Sequence, residues 1–148
     1  MVGMRAILVT LLVCAACGTD PPPHGMPMLT ELVGDWFLCD TPDCSVLRNH
    51  GARWDSDGTW VMLEARGVQN LDPTGTYCSS QHDANRGPYD FDATTGALQM
   101  TDDLGRDAGG GTVVFAAPMA TLTTATGAAT VYLRIDPPRL SGVCPITL

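Results

Sequence analysis

The chain has 148 residues and a mass of 15.6 kDa, enough for one domain with its own core and too few for separate cofactor and substrate domains. Its 16 acidic residues face 8 basic ones, all of them Arg, and a net charge of -8 with no basic patch excludes a nucleic-acid partner, whose phosphates it would repel. Hydrophobic residues at 45% and charged residues at 16% separate it from disordered chains, which cannot bury enough apolar surface to fold.

The chain opens with an export signal. Arg5 is the only charged side chain before Asp20, and the run Ala6 to Val13 is apolar before Cys14-Ala15-Ala16-Cys17. A positive start, a short greasy centre and small residues at the cut are what the export machinery reads. A membrane-spanning helix needs about 20 apolar residues, more than this run supplies. Ala15, Ala16 and Cys17 resemble the lipobox of bacterial lipoproteins, with Cys14 where that family usually has Leu. The resemblance implies a signal peptide over residues 1–16 and lipidation of Cys17, so that the partner of the mature N-terminus is a membrane. Gly18 after the cysteine resembles lipoproteins passed on to the outer membrane. The other reading is an ordinary signal that releases a soluble protein.

Residues 17–28 hold Pro21-Pro22-Pro23 and Pro27 among Gly and His, which suits neither helix nor central strand and reads as a tether. The folded domain is expected over residues 29–148. It keeps four cysteines, Cys39, Cys44, Cys78 and Cys144, an even number that in an exported chain suggests two disulfides. Three pairings exist for four cysteines. Cys39 with Cys44 is favoured because Asp40-Thr41-Pro42-Asp43 between them is turn-like, and Cys78 with Cys144 would then pin the C-terminal tail.

From Leu29 onward no helical periodicity is sustained, and Thr, Val, Tyr and Trp recur between Gly, Asp and Pro clusters, the pattern of short strands. In chain order the strands are expected at Glu31 to Leu38, Gly51 to Trp54, Thr59 to Glu64, Thr76 to Ser79, Tyr89 to Asp92 and Ala97 to Met100. Asp107 to Gly111 reads as a flexible loop, and three more strands follow at Thr112 to Phe115, Ala120 to Thr123 and Thr130 to Ile135. The turn Asp55-Ser56-Asp57-Gly58 joins the second and third, with Gly58 free to take a positive φ. About eight sequential strands at this spacing predict an all-β, antiparallel up-and-down barrel, which also hides the edges an open sheet exposes.

Leu32-Val33-Gly34-Asp35-Trp36, the Asp57 to Trp60 hairpin, Thr95-Gly96-Ala97-Leu98 and Tyr132-Leu133-Arg134 together resemble lipocalin-like domains. The resemblance implies that Trp36 packs at the closed end of the barrel against Arg134, a structural contact in which a guanidinium lies over an indole face. It also implies a non-catalytic binding module for a small apolar ligand. Strand alternation puts Trp60 and Met62 on one face, where they line a ligand pocket if the barrel is hollow and fill a solid core if it is not. A barrel this small favours the solid core. The rival function is a protein-interaction or inhibitor barrel that meets another envelope protein through the loops Gln81 to Gly87 and Asp102 to Gly111.

Chemistry-bearing residues are few. Asp55-x-Asp57-Gly58 matches the start of a calcium loop without its later ligands and reads as a hairpin turn. His24, His50 and His82 have no i+3 or i+4 partner, and Cys39-x4-Cys44 has no second close pair, so no metal site is expected. Ser79, Ser80, His82 and Asp83 are the residue types of a hydrolase triad, but neighbours on one loop rarely converge as a triad must. With no phosphate loop or dinucleotide fingerprint either, the sequence predicts neither catalysis nor a cofactor.

Overall fold

In a computed structural model of the chain, residues 29–72 and 74–145 are described. The expected signal, Cys17 and tether lie outside them. Among the described residues, beyond one helical turn, α1 (Leu29–Leu32), and one 3-10 turn (Asp83–Asn85), all regular structure is strand.

The strands are β1 (Gly34–Cys39), β2 (Leu47–Trp54), β3 (Thr59–Glu64), β4 (Asn70–Leu71), β5 (Tyr77–Ser79), β6 (Arg86–Asp92), β7 (Ala97–Thr101), β8 (Asp107–Ala116), β9 (Met119–Thr123), β10 (Ala129–Ile135) and β11 (Leu140–Val143). Eight of them close a barrel in the order β1-β2-β3-β6-β7-β8-β9-β10 and back to β1, every pair antiparallel. This is the up-and-down barrel the turn spacing predicts. The short strands β4 and β5 add to β2 and β3, and β11 runs parallel to β5.

Because successive strand residues point to opposite faces, β1 builds two cores at once. Trp36 points into the barrel with Leu32, Trp54, Trp60, Tyr89, Leu98, Val113 and Ala120. Phe37 points outward into a second core with Leu47, Leu63, Leu71, Tyr77 and Ile135, under the added strands. Between them on the outer face, Asp35 is 1% exposed and ion-paired with Arg53, whose Nε and Nη2 donate at 2.6 and 2.9 Å to its two oxygens. The Tyr77 hydroxyl donates to the same carboxylate at 2.5 Å and accepts from the Arg139 amide, so one buried charge ties β1, β2, β5 and the approach to β11. Burial and the hydrogen bond to Asp35 hold the Tyr77 phenol well above the usual tyrosine range.

Two expectations are corrected. The first strand starts at Gly34, because Glu31 and Leu32 belong to α1, whose Leu32 carbonyl accepts the Trp36 indole N–H at 2.8 Å. Asp107 to Gly111 is the first half of β8, paired with β7. A Cβ on Gly110 would lie 2.2 Å from the Leu98 carbonyl oxygen, and one on Gly111 2.1 Å from that of Thr123, so these glycines serve close strand approach.

Both disulfides form in the favoured pairing, Cys39–Cys44 and Cys78–Cys144, with Cα atoms 4.8 and 4.9 Å apart. The second spans 66 residues and fastens the stretch after β11 to β5. Several turns share one device, an Asp that accepts from a Ser or Thr two residues on. Asp57 Oδ1 takes the Thr59 amide and hydroxyl, Asp72 Oδ1 those of Thr74, and Asp43 Oδ1 those of Ser45.

Replacing Cys78 and Cys144 together with Ser should lower unfolding free energy by about 4 kcal/mol in urea titration, against about 2 kcal/mol for the Cys39 and Cys44 pair, since loop-closure entropy grows with loop length. The turn hydrogen bonds hold Asp43, Asp57, Asp72 and Asp92 below the ordinary carboxylate value, and the Arg106 amide leads the same effect at Asp102. Groups depressed in the folded state stabilise it above the unfolded pKa and lose that contribution as pH falls through the folded pKa. Asp55, raised mainly by burial, acts in the opposite sense. The melting temperature should therefore fall steadily below pH of about 4.

Candidate functional site

Antiparallel alternation gives the barrel two unlike ends. The β2–β3, β6–β7 and β8–β9 turns share one end with α1; the β1–β2, β3–β6, β7–β8 and β9–β10 connections share the other.

The α1 end is filled. Leu32 is buried inside the barrel, and Trp36 meets the ring of Phe115 at 5.8 Å between centroids, with Phe91 at 6.2 Å beyond it. Trp36 and Arg134 are register partners on β1 and β10, and the guanidinium carbon lies 5.9 Å from the indole centroid. Arg134 Nη2 also donates to the Val33 carbonyl at 2.8 Å. Gly34 makes room for this: at φ +143° it adopts backbone that L side chains avoid, and a Cβ there would sit 2.9 Å from Arg134 Nε.

The opposite end is hollow. A cavity of about 540 Å³ runs into the barrel between Ala52 and Trp54 of β2, Trp60 and Met62 of β3, Met100, Ala108, Leu122 and Tyr132, with His50, Ala84, Asp102, Arg106 and Asp107 toward the connections. This size and a mostly apolar wall are typical of small-molecule sites. Trp60 and Met62 therefore share the cavity wall, and Met62 lies in one cross-strand row with Ala52 and Trp36.

The rim is tied by hydrogen bonds and ion pairs. Asp102 is buried; its Oδ1 accepts the amides of Leu104 and Arg106, and its Oδ2 the Arg106 guanidinium at 2.7 Å. The Asp103 amide donates to the carbonyls of Asp83 and Arg86, and Arg86 pairs with the Asp103 carboxylate at 2.8 Å. The β3–β6 and β7–β8 connections thus form one tied edge, and the acidic run 102–107 is a structural clasp.

The aromatic groups lining the barrel differ in one respect that composition does not reveal. Trp36 donates to Leu32, Trp60 to the Thr101 carbonyl at 3.0 Å, and the Tyr89 hydroxyl to the Asp55 carbonyl at 2.8 Å. Trp54 is 5% exposed, and its indole N–H has no partner among the described residues. An unpaired buried donor of this kind costs about 1–3 kcal/mol. Its ring meets Tyr132 edge-on, 6.4 Å between centroids, and burial raises the Tyr132 phenol with no charge or hydrogen bond contributing.

The remaining sequence candidates are accounted for locally. Asp55 and Asp57 form the hairpin turn, with Asp57 committed to Thr59. The Ser80 hydroxyl accepts the His82 amide and Asn85 Nδ2, and the Ser79 hydroxyl faces the Gly142 carbonyl, so neither serine pairs with an imidazole. Among the described residues, no group of three or more His, Cys, Asp or Glu is placed to hold a metal ion. No protein-family model matches the chain, and no curated protein matches it.

Arg134→Ala should cost about 2 kcal/mol of stability, from the cation–π contact and the charged hydrogen bond to Val33, read as a lower denaturation midpoint at unchanged slope.

Proposed function

We propose that the protein is a lipid-anchored protein of the cell envelope, at the outer membrane, whose lipocalin-like barrel holds a small apolar ligand and does not catalyse a reaction. The observation that carries this reading is the cavity of about 540 Å³ inside the barrel, lined by Trp54, Trp60, Met62, Met100, Leu122 and Tyr132. A barrel with no binding role has reason to fill its interior, because empty apolar space forfeits contacts. This one fills the α1 end with Trp36, Phe91 and Phe115 and leaves the other end open.

The location rests on separate features. Cys17 follows two alanines and an apolar run, and a Pro-rich stretch separates it from the first described strand. Both disulfides fit an oxidising compartment. The anchor would hold the barrel at a membrane, where an apolar ligand partitions.

The second reading, a barrel that binds or inhibits another envelope protein through its rim, draws support from Leu104, 57% exposed on the connection tied to Asp83 and Arg86. Asp107 to Gly111 is strand and contributes little to a loop surface.

Two readouts separate these claims. Cys17→Ser should move the protein from the membrane fraction to the soluble fraction; retention in the membrane would contradict the anchor. Ala108→Trp, which fills the cavity, should weaken binding of a neutral apolar dye at least about tenfold, as expected when about 1.4 kcal/mol of contact is lost. Undiminished dye binding would put the ligand site elsewhere.

A further inference from the structure

Resting on the cavity reading above, we infer that the ligand is uncharged and presents a hydrogen-bond acceptor, a carbonyl or hydroxyl oxygen, to the Trp54–Tyr132 pair while its apolar body fills the cavity. Trp36, Trp60 and Tyr89 give their polar hydrogens to protein carbonyls, whereas Trp54, nine-tenths buried, gives its own to nothing. Tyr132 lies against it across the cavity wall, and no hydrogen bond among the described residues engages its hydroxyl. β2 and β10 both flank β1, so the two polar groups come from strands fixed by a shared neighbour. The Trp54 indole N–H and the Tyr132 hydroxyl are thus polar groups without a protein partner among the described residues, on two side chains that line a mostly apolar cavity, and a few such groups are how a binding site fixes orientation.

The charges around the cavity argue against an ionised ligand. Arg106 is bound to Asp102, and Asp102 spends both oxygens on Leu104 and Arg106. Asp107 Oδ1 accepts from Gln99 Nε2 and the Gly109 amide, and His50 lies on the exposed rim beside Asn49. Arg134 is committed to Trp36 and Val33 at the filled end. Among the described residues Arg106 is the one arginine that lines the cavity, so a carboxylate there would have to compete with Asp102 for it, and an unpaired buried charge is expensive. A quaternary ammonium would find aromatic faces, but it offers nothing to the Trp54 N–H.

The test uses four naphthalenes of one size: 2-acetylnaphthalene, its isostere 2-ethylnaphthalene, 2-naphthoate and 2-naphthyltrimethylammonium. They are titrated into the full chain carrying Cys17→Ser, exported and oxidised, with calorimetry as the readout. The ketone should bind about tenfold more tightly than 2-ethylnaphthalene, the gain of one net hydrogen bond, and the ions more weakly than either. Trp54→Phe and Tyr132→Phe should each erase part of the ketone's advantage and leave 2-ethylnaphthalene affinity unchanged within about threefold, with near-UV circular dichroism reporting the fold. Equal affinity of ketone and isostere, or preference for either ion, would overturn the inference and leave the apolar cavity standing. Binding of none of the four would overturn both.

Discussion

A sheet that closes on itself acquires an inside, and here the closure rests on β1. Its backbone pairs with β2 on one edge and with β10 on the other, so the first and last barrel strands meet along Asp35 to Leu38. Everything else follows from the alternation of that strand. Trp36 goes inward and Phe37 outward, and both are almost wholly buried because each face of the strand is covered. Asp35 would be a costly passenger on the outer face were it not clamped by Arg53 and Tyr77, since a buried carboxylate survives only when its charge and lone pairs are met. The clamp also attaches the outer strands, so that β4, β5 and β11 roof the second core rather than hang from the barrel as loose edges.

The asymmetry of the barrel has the same origin. α1 runs into β1, which carries Leu32 and the Val33 carbonyl under the barrel, where Trp36 and Arg134 seal that end. Among the described residues nothing comparable covers the opposite end. There the connections between strands are fastened to one another by Asp102, Asp103 and Arg86, which keeps the rim in place without filling the space beneath it. The barrel is thus tied at its rim around an internal cavity.

Much of the fold was legible because the turns announce themselves. Asp-x-Ser/Thr and Gly-bearing turns separate runs of Val, Thr and aromatic residues, and alternation correctly put Trp60 and Met62 on one face. The Gly109 to Gly111 run was misread because glycine is the ordinary signal of a loop; only the proximity of Leu98 and Thr123 shows why a strand needs it there. The second core was hidden for another reason. Phe37, Leu63 and Ile135 break the polar-out pattern of a simple barrel, but a sequence does not say that a later, short strand will cover them. The site was legible in part. Trp36, Trp54 and Trp60 are equivalent as letters, and their difference lies in whether a carbonyl from another strand or α1 happens to face each indole N–H.

The central claim is that the open half of the barrel holds a small apolar molecule, and native mass spectrometry of the protein exported as Cys17→Ser and purified without detergent tests it most directly. The protein should carry a reproducible additional mass, lost on organic extraction and absent from Ala108→Trp. A clean apo mass under gentle conditions, unchanged after incubation with an apolar extract of its own envelope, would contradict it.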